Sequence, residues 1–199
     1  MAKNAAPFSA VWFFWIGFLF CDVACAHTGS GSVNGFLSGL AHPVLGLDHI
    51  VAMVAVGLWG AWLGAPAIWL LPVVFPMVMA VGGVLGIFKV PVPGVEILIA
   101  ASGVVLGASV LTAFRPPLWV AAAMVGLFAV FHGYAHGAEL PGAQSPVGYC
   151  VGFVLATGMI HLSGIGMGLL KRVKRGEWMI RSLGAGIAVT GTLFLFGVL

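Results

Sequence analysis

Charged side chains are scarce in this sequence, and their scarcity excludes most soluble classes of protein. Only 7% of the 199 residues are Asp, Glu, Lys or Arg, whereas 61% are hydrophobic. A soluble domain carries roughly a quarter of its residues as charges. The net charge of +3 does not indicate a nucleic-acid partner, because five of the eight basic residues lie between Lys171 and Arg181. Long apolar runs broken by Gly and Pro are typical of a polytopic helical membrane protein.

A nucleotide-binding loop is missing as well. The 30 glycines never assemble into a Gly-x4-Gly-Lys-Ser/Thr string, so the chain has no signature of a P-loop ATPase. Any energy coupling would have to come from an ion gradient, from the membrane potential or from a partner protein.

The first residues are typical of a secretory signal peptide. Lys3 supplies a positive start, residues 8–20 form an apolar core, and Ala24-Cys25-Ala26 fits a cleavage site. We expect residues 1–26 to be removed and residues 27–199 to form one transmembrane bundle domain. A retained first transmembrane helix is the alternative.

Cysteine is scarce too, with three residues in the chain. After cleavage only Cys150 would remain, which excludes a disulfide within one mature chain. The new N-terminus would be His27, whose amine and imidazole suit a metal ion, although a solvated terminus is the more common role.

Six further hydrophobic segments have about the 20 residues that a helix needs to cross the hydrocarbon of a bilayer. The predicted fold is therefore an all-α membrane bundle. Because Pro43 lacks a backbone donor and disfavours helix at His42, we expect a short helix at 33–41 and a break at His42-Pro43. The predicted spans are 44–64, 66–88, 94–113, 116–138, 146–170 and 177–198.

Charge predicts the orientation of the bundle in a bacterial inner membrane. The cluster Lys171-Arg-Val-Lys-Arg175 should be cytoplasmic by the positive-inside rule, which puts the mature N-terminus outside. Five tryptophans fall at span ends on the inner side, where an aromatic belt is expected. They are Trp59, Trp62, Trp69, Trp119 and Trp178.

Two strings hold ionisable groups inside these apolar spans, where such groups are costly and usually functional. The first is His42-Pro-Val-Leu-Gly-Leu-Asp48-His49, and the second is Phe131-His132-Gly-Tyr-Ala-His136-Gly-Ala-Glu139. In the second, spacings of four and three residues put both imidazoles and the carboxylate on one helix face. The predicted topology brings both strings to one depth near the outer face. Imidazole with carboxylate is a ligand set for a divalent transition metal.

Several residues have two readings that the sequence does not separate. Asp48 fits a direct ligand or a carboxylate that orients His49. Glu96 fits either the outer site or a role at the positive start of its helix. Met53 is a weak soft ligand or, more commonly, a core side chain. His161 lies deeper, where a transient metal site on the way inward and an interhelical hydrogen bond are equally good readings.

The two strings resemble the signatures of the HupE/UreJ family of nickel permeases. The first matches the pattern His-Pro-x-x-Gly-x-Asp-His, and the second matches Phe-His-Gly-x-Ala-His-Gly-x-Glu. A cleavable signal followed by about six spans extends the resemblance over nearly the whole chain. The first string is also similar in kind, with different spacing, to a motif of the larger nickel/cobalt transporters.

The resemblance implies uptake of Ni2+, with Co2+ as the cargo of a relative, for hydrogenase or urease maturation. It implies a transporter rather than an enzyme, a metal ion as cargo, and no organic cofactor. The partners expected are the metal and the lipid bilayer, with metal-delivery proteins and a homo-oligomer left open and no nucleic acid. The metal-binding roles that it implies fall on His42, Asp48, His49, His132, His136 and Glu139.

Two classes other than a transporter use some of the same residues. An intramembrane zinc hydrolase of the His-Glu-x-x-His type needs Glu where this chain has Gly133. Gly107-Ala-Ser109 is faintly similar to the nucleophile turn of rhomboid proteases, with His161 as the base. A haem protein with two histidine ligands would leave the acidic residues without a role.

Overall fold

The computed structural model describes residues 33–138 and 146–199. Within these residues the chain is helical and contains no strand, so the predicted all-α class is confirmed. The signal peptide lies outside the described residues and stays a prediction. The helices are α1 (Val33–Leu45), α2 (Leu47–Leu63), α3 (Ala67–Ile87), α4 (Val95–Leu111), α5 (Leu118–Ala138), α6 (Pro146–Gly168), a 3-10 turn (Leu169–Arg172) and α7 (Gly176–Leu195).

The helices correspond in order to the predicted spans. Four of the described helices, α3, α5, α6 (with the 3-10 turn) and α7, are long and apolar enough to cross a membrane. The pair α1–α2 passes the same test as one broken span bent by 80°. The remaining apolar helix, α4, has 17 residues and is shorter than the others. The described residues thus contain four such spans, or five with the bent pair, rather than six of full length.

The break in the first span is three residues later than the sequence predicts. Helix α1 continues through His42 and Pro43 to Leu45, and the chain breaks at Gly46. Pro43 removes one backbone donor near the end of α1, which a last helical turn tolerates better than a helix interior. Gly46 has extended backbone angles (φ −93°, ψ 108°), and this residue turns the chain into α2.

Helix α2 lies at the centre of the bundle. Every residue from Ala52 to Trp62 is buried, and α2 contacts α3, α4, α6 and α7. The outer helices each bury only part of their surface and expose many large apolar side chains. Such a surface suits lipid, because the hydrocarbon of a bilayer is itself apolar.

Glycines let the helices pack backbone to backbone, as their small-xxx-small spacing predicts. Gly82 and Gly86 of α3 lie against the carbonyls of Val130 and Tyr134 in α5. A methyl group added at Gly82 would come within 2.1 Å of the Val130 carbonyl oxygen, so no other residue fits there without moving the helices apart. The same kind of contact joins α4 to α7 and α6 to α1 and α2.

Of the five tryptophans of the predicted aromatic belt, three are exposed and two are buried. Trp69, Trp119 and Trp178 are 60–74% exposed, as a belt in contact with lipid headgroups requires. Trp59 and Trp62 are buried instead, because α2 is surrounded by other helices. The Trp59 indole N–H donates to the carbonyl oxygen of Phe114 at 3.0 Å.

Basic side chains close the end of α2 that lies away from the histidines. The Lys171 ammonium donates to the carbonyl oxygens of Ala61 and Trp62, in the last turn of α2. The Arg115 guanidinium lies 5.2 Å from the centre of the Trp62 ring. Cations stabilise a helix C-terminus because its carbonyl dipoles point towards them. We call this the basic end of α2, and the end that begins with Leu47 its histidine end.

Candidate metal centre

Four histidine rings from three helices meet at the histidine end. His42 comes from α1, His49 from α2, and His132 and His136 from α5. The ring of His136 lies 4.8 Å from that of His42 and 4.4 Å from that of His49, measured between centres. The ring of His49 also lies 4.9 Å from that of His132. Two strings that are more than eighty residues apart in sequence therefore form one cluster.

Asp48 orients His49. The carboxylate oxygen Oδ1 of Asp48 lies 2.8 Å from Nδ1 of His49 and accepts a hydrogen bond from the His49 backbone N–H at 2.9 Å. With the proton of the ring on Nδ1, the lone pair of His49 is on Nε2. That atom is buried and has no hydrogen-bond partner among the described residues. A carboxylate on one nitrogen and an unused lone pair on the other is the usual arrangement of a metal-binding histidine.

His132 has the same arrangement with a different partner. Its Nδ1 donates to the carbonyl oxygen of Phe128, one turn earlier in α5, at 3.0 Å. The side chain is fully buried, and its Nε2 lacks a partner within the described part of the chain. A buried polar atom without a partner is costly, so it calls for an explanation. A bound cation that accepts the lone pair of Nε2 would explain it.

His42 and His136 face each other directly. Nε2 of His42 lies 2.9 Å from Nδ1 of His136. A proton between these two nitrogens would make a hydrogen bond. If that proton is on Nδ1 of His136, the buried Nε2 of the same ring carries a lone pair. The same distance also suits two ligands of one metal, because nitrogens bound at about 2.05 Å and lying 2.9 Å apart subtend about 90°. That angle is found between neighbouring ligands in square-planar or octahedral coordination.

An aromatic wall covers one side of the cluster. Phe153 of α6 lies 4.6 Å from the ring of His136, and Tyr149, one turn earlier, lies 5.8 Å from the ring of His42. Sequence reasoning missed both residues. No metal-ligand spacing marks them, and only the packing of α6 against α1 through Gly39 and Gly152 places them here.

Exposure falls steadily from one side of the cluster to the other. Asp48 is 24% exposed and His49 is 13% exposed, whereas His136 retains 7% and His132 none. A ligand arriving at the histidine end would therefore meet Asp48 and His49 before it reached the histidines of α5.

The similarity of this chain to known proteins agrees with the geometry. The model of the HupE/UreJ protein family matches residues 15–194. The chain is also 45% identical over 176 residues to Protein HupE of Rhizobium leguminosarum bv. viciae, covering 88% of this chain and 92% of that protein. The chain belongs to the HupE/UreJ family. No solved structure matches it.

Membership in this family supports a membrane permease for a metal in general, since the family is known for nickel and cobalt transport. The predicted resemblance is therefore confirmed.

The remaining predicted site residues fall into two groups. His27 and Glu139 lie outside the described residues. Glu96 is exposed in the first turn of α4, and none of the described interactions joins it to the cluster, which favours its role at the helix start. Met53 is fully buried in the core, as its more common role predicts. His161 is buried in α6. Its Nε2 does not make the interhelical hydrogen bond that was one of its two predicted roles, because that atom has no partner among the described residues.

The four histidine rings lie together but do not have the geometry of a metal site. Within residues 33–138 and 146–199, no three His, Cys, Asp or Glu side chains are arranged to hold a metal ion as they stand. The rings contact one another directly, so their side chains would have to rearrange before three nitrogens could point at one ion.

The arrangement does not favour the enzyme or haem alternatives. The hydroxyl of Ser109 donates to the carbonyl oxygen of Val105 in its own helix, and Gly107 packs against α7. Packing therefore explains this string better than a nucleophile does. The haem alternative pairs His49 or His132 with His161, and the ring of Phe75 packs against both His132 and His161, where a porphyrin between those two would need room.

Proposed function

We propose that this protein is a permease that takes up Ni2+, with Co2+ as a second cargo, through the histidine cluster. The observation that carries the proposal is the convergence of His42, His49, His132 and His136, with buried lone pairs on His49 and His132 that lack a partner among the described residues. Imidazole suits both ions, and the geometry around His42 and His136 suits the 90° angles that Ni2+ accepts.

In this proposal the cluster replaces the water shell of the arriving ion. Asp48 attracts the cation at the exposed edge and holds His49 in the tautomer that presents Nε2. The ion then gains nitrogens of His136 and His132 as it moves to the more buried side. Glu139 follows His136 by three residues, and we assign it a ligand role on the strength of the family resemblance alone.

Binding in a permease must be reversible, so a site that is assembled only when the ion arrives suits transport. The rings have to rotate before three of them can bind one ion. The free energy spent on this rotation weakens binding and so favours release. The chain has no nucleotide-binding loop, so the membrane potential, an ion gradient or a metal-delivery partner would drive uptake.

The proposal includes an orientation. Residues 1–26 are a signal peptide removed on export, residues 27–199 are the transmembrane domain, and the histidine end faces outward across a bacterial inner membrane. Cys150, an exposed free cysteine in the first turn of α6, tests this directly. A membrane-impermeant maleimide should label Cys150 in intact cells. It should not label Val173→Cys at the basic end in a Cys150→Ser background. The reverse pattern would overturn the orientation.

The central test is uptake of 63Ni2+ by cells that express the wild-type chain or the His132→Ala/His136→Ala double variant at matched membrane levels. The matched control is Glu96→Gln, which changes an exposed carboxylate outside the cluster. We expect uptake by the wild type and the control, loss in the double variant, and competition by Co2+ in preference to Mg2+. Equal background uptake in all three would overturn the proposal.

A further inference from the structure

Two buried polar groups lie deeper in the bundle than the histidine cluster. His161 is 2% exposed and Thr157, one turn earlier on the same face of α6, is 1% exposed. Neither Nε2 of His161 nor the hydroxyl of Thr157 has a hydrogen-bond partner among the described residues. The two groups therefore offer an unused nitrogen and an unused oxygen side by side in the interior.

The buried hydroxyl of Thr157 differs from the buried serine hydroxyls of the described chain. Those of Ser102 and Ser109 both donate to a carbonyl oxygen of their own helix, at 2.6 and 2.8 Å. Half-buried Ser163, two residues after His161, does the same at 2.7 Å. Thr157 makes no such bond within the described residues, so its oxygen is available to another partner.

One aromatic ring contacts both this pair and the histidine cluster. Phe75 of α3 is fully buried, and its ring centre lies 5.5 Å from that of His132 and 5.4 Å from that of His161. Both contacts are edge-to-face. Among the described ring contacts, Phe75 is therefore the link between His132 and His161.

The helix that carries Phe75 is weakened at this position. Pro72 and Pro76 both lie inside α3, on either side of Phe75. Each proline lacks the N–H that would bond to the carbonyl four residues earlier, so two consecutive turns lose a backbone hydrogen bond. A helix with such gaps bends more easily than a regular one. Phe75 therefore lies in the part of α3 where the backbone hydrogen bonding is interrupted.

We propose that His161 and Thr157 form an inner relay site for the transported divalent ion, and that Phe75 is the gate between the histidine cluster and this site. The inference rests on the proposed function and extends it to the route inward. The ion leaves His132, passes the edge of the Phe75 ring as α3 bends, and is received by Nε2 of His161 and the oxygen of Thr157.

The relay is tested with His161→Gln and Thr157→Val, with Ser163→Ala as the matched control in the same helix. Binding of 63Ni2+ to the purified full chain is measured by equilibrium dialysis, and uptake is measured in proteoliposomes. For His161→Gln we expect binding within about twofold of the wild type but uptake lowered about tenfold or more, with a smaller loss in Thr157→Val. Ser163→Ala should match the wild type. Wild-type uptake by His161→Gln, or a parallel loss of binding, would overturn the relay.

The gate is tested by changing the size of the side chain at Phe75. Phe75→Trp should slow uptake and Phe75→Leu should speed it, with binding unchanged in both, because the cluster itself is intact. Phe88→Leu, a 76% exposed phenylalanine just beyond the end of α3, is the control for the loss of an aromatic ring. Size-exclusion profiles and thermal melts check that each variant folds. Uptake that does not depend on the size of residue 75 would remove the gate.

The two levels of the proposal fail differently. If the wild-type chain takes up no Ni2+ at all, the proposed function is wrong and the relay falls with it. If the wild type takes up Ni2+, the outer double variant does not, and His161→Gln behaves as the wild type, only the inner relay is wrong.

Discussion

The two ends of α2 differ in whether the polar side chains around them have hydrogen-bond partners. At the basic end, Lys171 donates to two carbonyl oxygens of α2, and Arg181 donates to the carbonyl oxygen of Leu111 at 2.7 Å. At the histidine end, Nε2 of His49 and of His132 are buried without partners in the described chain. Along the axis, residues 49 and 61 are roughly 18 Å apart. The cationic groups of the basic end thus have protein acceptors, although the buried indole N–H of Trp62 has no partner among the described residues. The histidine end instead presents buried lone pairs without partners in that part of the chain.

The contrast separates stability from function along one helix. A hydrogen bond that caps a helix stabilises the fold, whereas a buried atom without a partner destabilises it. Substitutions at the basic end should therefore change stability and leave metal binding alone. Substitutions at the histidine end should do the reverse.

The largest effect is expected at His49, whose ring contacts both histidines of α5. His49→Gln keeps a polar side chain of similar length but removes the imidazole. We expect the uptake of 63Ni2+ to fall by about 100-fold or more, with the free energy of unfolding changed by less than about 1 kcal/mol. Uptake and urea unfolding of the same preparation check both parts. A large loss of stability would show that His49 holds the fold together.

The next effect is expected at Asp48, which we place as the partner of His49. Asp48→Asn keeps an oxygen near Nδ1 of His49 but removes the charge. We expect a 10- to 100-fold loss of Ni2+ affinity, roughly the range for changing the carboxylate partner of a metal-bound histidine. Equilibrium dialysis with 63Ni2+ measures it. A loss as large as that of His49→Gln would instead indicate that Asp48 binds the ion itself.

Acidification should weaken binding at the histidine end. A protonated imidazole has no lone pair for a metal ion, so Ni2+ affinity should fall once the pH is low enough to protonate the buried rings. Binding to the purified chain is the appropriate readout, because uptake also responds to a proton gradient. An affinity that does not fall at any pH at which the chain stays folded would contradict histidine ligation.

The basic end should show the opposite pattern. Lys171→Met retains most of the aliphatic stem but loses both hydrogen bonds to the end of α2. We expect a loss of about 1 kcal/mol in unfolding free energy, which lowers the melting temperature by about 2–4 °C. The affinity for Ni2+ should stay within twofold of the wild type, roughly the scatter between independent sites. A weaker affinity would show that the two ends are coupled.

The smallest effect is expected at Glu96, an exposed carboxylate in the first turn of α4. Glu96→Gln should lower stability by about 0.3–1 kcal/mol, since a negative charge at a helix N-terminus is mildly stabilising. Uptake should not change. A tenfold loss of uptake would return Glu96 to the metal site.

Much of the candidate site could be predicted from the sequence. His132 and His136 share a face because they are four residues apart in a helix, and any helix through them would place them so. Their meeting with His42 and His49 followed from alternating spans, which carry the start of one span and the end of another to the same side.

Other features depended on contacts that no local pattern records. Gly46 rather than Pro43 breaks the first span, because a proline in a last turn costs one hydrogen bond whereas an extended glycine redirects the chain. Phe75, Tyr149 and Phe153 surround the histidines only because neighbouring helices approach closely at glycines. Trp59 and Trp62 carry the same hydropathy signal as the exposed tryptophans and differ only in the helices packed around them.

The sequence by itself determined the membrane class, the helices and the identity of the histidines and carboxylates, because hydropathy, helical spacing and ligand chemistry are local properties. The tertiary structure decided which helix is central, which ring nitrogens have partners, and that one phenylalanine contacts both His132 and His161. These depend on how helices pack against one another. In such an apolar chain the hydrophobic pattern is nearly the same on every helix face, so it does not select the packing. How closely two helices approach at each glycine does.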